Sequence, residues 1–156
     1  MRRPTTQEEF DRMSRYIERN GVVFDESGRT TELAEYLTGD PITALIERAR
    51  DQGLKLIYTF VSEDQDESRQ DRDGECWKNV TLDGKGTWYS IGISTDALDR
   101  GKEYTVLVFL HELCHIFVDG DRHPPAFHRY LDYLLKLYNE ANGTEIVNDY
   151  NGLELE

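Results

Sequence analysis

The stretch from Tyr104 to Val118 reads Tyr-Thr-Val-Leu-Val-Phe-Leu-His-Glu-Leu-Cys-His-Ile-Phe-Val, and it limits the fold more than any other part of the chain. At helical spacing its apolar residues cover nearly the whole circumference, which predicts a helix buried on all sides. Its longest apolar run, Tyr104 to Leu110, is far too short to cross a bilayer. A chain of 156 residues is instead long enough to bury one ordinary domain core. Inside this apolar helix stand two histidines and a glutamate, His111, Glu112 and His115. Burying such groups is costly unless partners satisfy them. A bound metal ion is one such partner. A pair of core histidines hydrogen-bonded to backbone is the plainer alternative.

The rest of the chain supplies the elements that cover this helix. Thr5 and Thr6 before Gln7-Glu8-Glu9, with Phe10, Met13 and Ile17 at helical spacing, predict a first helix that stops at Asn20-Gly21. Val22 to Phe24 fits a short strand, Asp25 to Thr31 a turn-rich link, and Leu33 to Leu37 one or two helical turns. Asp40-Pro41 opens a further helix with Ile42, Leu45, Ile46 and Ala49 on its apolar stripe, ended by Gly53. Leu54 to Val61 reads as a strand rich in branched and aromatic residues.

Ser62 to Glu75 holds seven acids, two arginines and no apolar residue, the composition of a flexible acidic loop. Cys76 to Leu82 and Thr87 to Ser94 are two strands joined by Asp83-Gly84-Lys85-Gly86. Thr95 opens a short helical turn that Gly101 breaks, and the buried helix follows from about Glu103. A last helix runs from about Pro124 to Asn142 with Phe127, Leu131, Leu134, Leu135 and Tyr138 on its stripe and Gly143 as its stop. Residues 144–156 form a polar tail. There is no internal repeat, so residues 1–156 read as one α+β domain with a small, mainly antiparallel sheet on one side.

Bulk properties narrow the partners. The net charge is −13, and a negative surface repels phosphate, so direct nucleic-acid binding is disfavoured. Two cysteines, Cys76 and Cys114, are too few for a disulfide scaffold, and Cys114 reads as a small buried hydrophobe. Met-Arg-Arg-Pro-Thr-Thr at the start lacks the apolar segment of a signal peptide. The expected setting is a reducing cytoplasm, that of a host cell if the chain comes from a phage or mobile element. No pattern speaks to oligomeric state.

His111 and His115 are four apart, which puts both imidazoles on one helix face, one turn apart. Two neutral nitrogens at that spacing can share one tetrahedral zinc ion. Glu112 lies about 100° further round the axis. From there its carboxylate can take a proton from a zinc-activated water without displacing it. A catalytic zinc needs a third protein ligand and an open position. His123, eight residues after His115 and beyond the turn Asp119-Gly120-Asp121, is the leading candidate; Asp119, Asp121 and His128 are its rivals. Tyr130 is a candidate for hydrogen-bonding a developing oxyanion, beside the plainer role of helix packing. Tyr133 and Arg129 could hydrogen-bond the oxyanion in the same way, beside the plainer roles of helix packing and surface charge, and His128 is a further candidate for substrate contact.

His-Glu-Leu-Cys-His, followed after a turn by His123-Pro124-Pro125-Ala126-Phe127 and an amphipathic helix, resembles the SprT-like and WLM metalloprotease domains over roughly Trp88 to Tyr138. The resemblance implies a minimal zincin fold, with a small, mainly antiparallel sheet packed on the His-Glu helix and a C-terminal helix. It implies His111, His115 and His123 as ligands of one Zn2+ per chain and Glu112 as the catalytic acid/base. It also implies that Trp88 to Ser94 is the sheet edge to which a protein or peptide substrate adds as a strand. No cysteine-pair zinc ribbon follows the last helix, so the DNA-linked role of many SprT-like proteins is not carried over. The leading expectation is a zinc metallopeptidase. The alternatives are a zinc-fold module that works by binding, and a regulatory protease of the ImmA/IrrE type, which also uses His-Glu-x-x-His.

Overall fold

The computed structural model describes residues 23–24, 29–51, 57–62, 73–80, 87–118 and 123–148. Among these, the elements in chain order are β1 (Val23–Phe24), α1 (Thr30–Tyr36), α2 (Ile42–Asp51), β2 (Ile57–Ser62), β3 (Gly74–Val80), β4 (Thr87–Ser94), α3 (Thr95–Asp99), α4 (Lys102–Phe117) and α5 (Pro125–Asn142). The helix expected before Gly21 lies outside the described residues, as does most of the link after Phe24. No helix among the described residues is long and apolar enough to cross a membrane.

Helix α4 is the apolar stretch that opened the sequence reading. Every residue from Thr105 to Ile116 is buried. The sheet, through β3 and β4, packs on one part of its surface, and α1, α3 and α5 pack on others. Its start is set by Gly101, whose φ of 102° lies where residues with a side chain are strained. The Thr105 hydroxyl fastens the α3–α4 corner by donating to the carbonyls of Gly101, at 2.9 Å, and Ala97, at 3.2 Å. Helix α5 begins on Pro125, where a missing N–H costs nothing. It ends at Gly143 in the left-handed conformation, whose N–H donates to the Asn139 carbonyl. Its stripe, Phe127, Leu131, Leu134, Leu135 and Tyr138, is buried as the spacing predicts.

The sheet has the order β1-β2-β4-β3. β3 and β4 form the antiparallel hairpin expected from sequence, in register from Val80 opposite Thr87 to Gly74 opposite Ile93. β1 with β2 and β2 with β4 are parallel. The sheet is therefore mixed, not mainly antiparallel. The chain returns from β1 to β2 through α1 and α2, a crossover long enough to allow a parallel pairing. Mixed helix and strand around one buried helix is an α+β arrangement.

A second correction concerns the free edge. β4 is hydrogen-bonded on both sides, so the segment Trp88 to Ser94 is not the edge strand. The free edge beside α4, among the described residues, belongs to β3. The resemblance does not hold at this strand: β4 is covered on both faces, with Ser90 and Gly92 buried along with Tyr89, Ile91 and Ile93.

The two segments expected to be loose are held at their near ends. Ser62 closes β2, while Gly74 and Glu75 open β3. Asp73 is buried. Residues 63–72 lie outside the described residues. Of the polar tail, residues 144–148 run back along α5. Asn139 donates to the Ile146 carbonyl at 2.9 Å and accepts from the Ile146 N–H at 3.0 Å and the Thr144 hydroxyl at 2.7 Å.

Candidate metal centre

Helix α4 places His111, Glu112 and His115, all buried, in its last two turns. His123 comes from the segment just before α5 and is half-buried. Its Nε2 stands 3.2 Å from Nε2 of His111 and 3.3 Å from Nε2 of His115. Ligand atoms of the three histidines all lie within 4.8 Å of one another.

These distances test whether the residues fit a metal ion. Two nitrogens bound to one tetrahedral zinc at about 2.0–2.1 Å are about 3.3 Å apart. The two separations to His123 match that value. A hydrogen bond between imidazoles accounts for one close pair; two such pairs on the one Nε2 of His123 need a shared, three-centre bond. Three converging nitrogens suit a cation, which takes a lone pair from each. The donor set is all imidazole, which suits zinc and several other transition ions.

Phe127 forms the floor of this cluster. Its fully buried ring has centroid distances of 5.0, 4.7 and 4.8 Å to His111, His115 and His123. It comes from the first turn of α5, so the α4–α5 packing is what closes the cluster. The sequence marked Phe127 as a core residue and as part of the segment carrying the resemblance, but not as a neighbour of the three histidines.

Glu112 sits beside the cluster, with Oε1 3.8 Å from His111 Nε2. Its side chain is fully buried, between α4 and the start of β3. Cys114, also on α4, is a free thiol in the core. Burial first, then the charges of Glu112 and Asp132, push its pKa well up. That makes it an inert hydrophobe, as its place in the apolar pattern indicates.

Other residues singled out from sequence fall outside the cluster. His128 is half-buried, 6.4 Å from His123 between ring centroids, and its Nδ1 faces Asn148 Nδ2 at 3.5 Å. It does not join the three converging histidines. Tyr130 packs against Phe117 and Tyr133, and burial raises its phenol pKa. Those contacts fit the helix-packing role. Tyr133 and Arg129 are exposed. Asp119 and Asp121 lie outside the described residues.

Sequence reasoning missed Asp73, Gly74 and Tyr104, which hold the sheet to α4 beside Glu112. A glycine where an acidic stretch turns into a strand was the available signal, since such a glycine often marks a close backbone approach. Comparison with family models, with curated proteins and with solved structures finds no match to this chain.

Proposed function

We propose that this chain is a zinc-dependent metallopeptidase of the minimal-zincin kind, with His111, His115 and His123 holding the ion and Glu112 acting as general base. The observation that carries the reading is the convergence of three imidazole nitrogens at 3.2 and 3.3 Å next to a buried carboxylate on the same helix. When bound, the ion supplies a Lewis acid that lowers the pKa of a water to roughly 7 and polarises a carbonyl.

The chain's own residues supply the rest. Glu112 follows His111 directly on α4, so it faces the cluster from the side without contributing one of the three converging atoms. It accepts the proton of the attacking water and returns it to the leaving amine. The apolar surroundings of α4 exclude bulk water, which strengthens each charge interaction made there. An extended peptide has a place to add at the outer side of β3, an edge strand among the described residues and the one packed nearest Glu112.

Metal analysis and hydrolysis of a fluorogenic peptide library test this together. The purified chain is expected to carry about one zinc, as one four-coordinate site requires. His111→Ala loses the ion, and His123→Ala lowers its affinity. Glu112→Gln keeps the zinc while hydrolysis falls by about 10²- to 10⁴-fold, the usual contribution of a general base. Full zinc affinity in His123→Ala would remove it from the ligand set. Surviving hydrolysis in Glu112→Gln would remove the mechanism.

A further inference from the structure

Gly74 opens β3 against helix α4 and is buried there. A Cβ at this position would stand 2.5 Å from Val108 Cγ1, 3.1 Å from Glu112 Cγ and 3.3 Å from Glu112 Oε1. Only a residue with no side chain lets strand and helix approach this closely. Val108 and Glu112 are four apart, hence neighbours on one stripe of α4, and Tyr104 is the next residue up the same stripe.

Tyr104 is where the strand is fastened. Its hydroxyl donates to Asp73 Oδ2. The Ser94 hydroxyl donates to Asp73 Oδ1 at 3.4 Å, and the Ser94 N–H donates to the Asp73 carbonyl at 2.9 Å. The Ser94 oxygen also accepts from the Ala97 N–H at 3.0 Å and so caps α3. The Arg100 guanidinium lies over the Tyr104 ring, 3.7 Å from its centroid. Asp73 therefore joins the start of β3 to the end of β4, the start of α3 and the first turn of α4. It does so one residue before the glycine whose missing Cβ leaves room for Glu112.

We propose that Asp73 and Gly74 are positioning residues for Glu112. The Gly74 backbone is the wall that fixes the Glu112 side chain, and Asp73 holds the wall in place. The catalytic consequence rests on the metallopeptidase reading; the contact itself does not.

Gly74→Ala alone drives a methyl into Val108 and risks misfolding, so the test uses a Val108→Ala background. There the two nearest atoms left to the new Cβ of Gly74→Ala belong to Glu112, which has to give by a few tenths of an ångström. Relative to Val108→Ala, the double variant is expected to keep its zinc and its KM within about twofold while kcat falls about 10-fold. A misplacement of about 1 Å costs about 10²-fold, so a smaller shift costs less. Asp73→Ala is expected to lower kcat in the same way with zinc retained. Lost zinc, or a raised KM at unchanged kcat, would overturn the positioning role.

A second readout needs no activity. In the metal-free protein, Gly74→Ala is expected to lower the melting temperature of Val108→Ala, and this loss is expected to vanish in Val108→Ala/Glu112→Ala. An equal loss in both backgrounds overturns the inference, because the Cβ would then not be pressing on Glu112. If the wild-type chain binds zinc yet hydrolyses nothing, the metallopeptidase reading falls, and this melting cycle still decides whether Gly74 fixes Glu112.

Discussion

Phe127 offers no ligand atom, yet it is the residue that all three histidine rings share. Its centroid distances of 4.7 to 5.0 Å mean that each imidazole keeps its tilt partly because this ring fills the space beneath it. Phe127→Ala leaves a cavity in the core and is expected to cost about 3–5 kcal/mol of stability. It also frees the rings to rotate, so zinc affinity is expected to fall by about 10- to 100-fold, the range seen when groups that orient metal ligands are removed. Chelator competition on folded protein separates the two effects. A stability loss with unchanged zinc affinity would reduce Phe127 to ordinary core packing. The pairing of His111 with His115 was legible in sequence because four residues on a helix are neighbours whatever else folds. The role of Phe127 was not, because it depends on how α5 crosses α4.

The same division runs through the elements. α4, α5 and the β3–β4 hairpin were legible since each is defined by local periodicity and its own stop signals. The strand order was not, because one alternating pattern serves an edge strand and a covered central strand equally well. β4 alternates like an edge strand, but Ser90 and Gly92 on its polar face are buried. Nor did composition reveal that the tail is partly built in. Residues 144–148 have few apolar side chains, and their order comes from Asn139, which satisfies both the N–H and the carbonyl of Ile146. Asn139→Ala removes these two bonds and the one from the Thr144 hydroxyl, and net contributions near 1 kcal/mol each predict a loss of about 3 kcal/mol. The melting temperature is expected to fall by about 6–12 °C, given about 2–4 °C per kcal/mol in a chain of this size. Amide exchange should quicken at Ile146 and leave α4 unchanged. Unaltered exchange at Ile146 would show that its burial against α5, and not the amide clamp, holds the segment.

At the scale of the whole molecule, the acidic segment divides at Asp73: Asp73 and Gly74 are built into the fold, while residues 63–72 lie outside the described residues. Ser62 pairs with Ser94, and Gly74 pairs with Ile93, so the ends of residues 63–73 flank the same end of β4 on its two sides. Strands lie about 4.8 Å apart, which puts those ends about 10 Å from each other. Four or five extended residues at about 3.3 Å each bridge that distance. Replacing residues 63–72 by a four-residue Gly/Ser linker is therefore expected to leave the fold, the zinc content and hydrolysis in place. Shortening the loop lowers its closure cost by less than about 1 kcal/mol, since the cost grows only with the logarithm of length. The replacement removes five acids and two arginines, which moves the net charge from −13 to −10 and leaves the acidic surface largely intact. Extending the deletion through Glu75 gives a different result. It takes Asp73 from Tyr104 and Ser94, and it takes Gly74 from its place against Glu112. The longer deletion is expected to lower the melting temperature sharply and to abolish hydrolysis. If both deletions melt alike, Asp73 does not anchor the sheet to α4; if the shorter one alone abolishes hydrolysis with zinc retained, residues 63–72 take part in binding substrate.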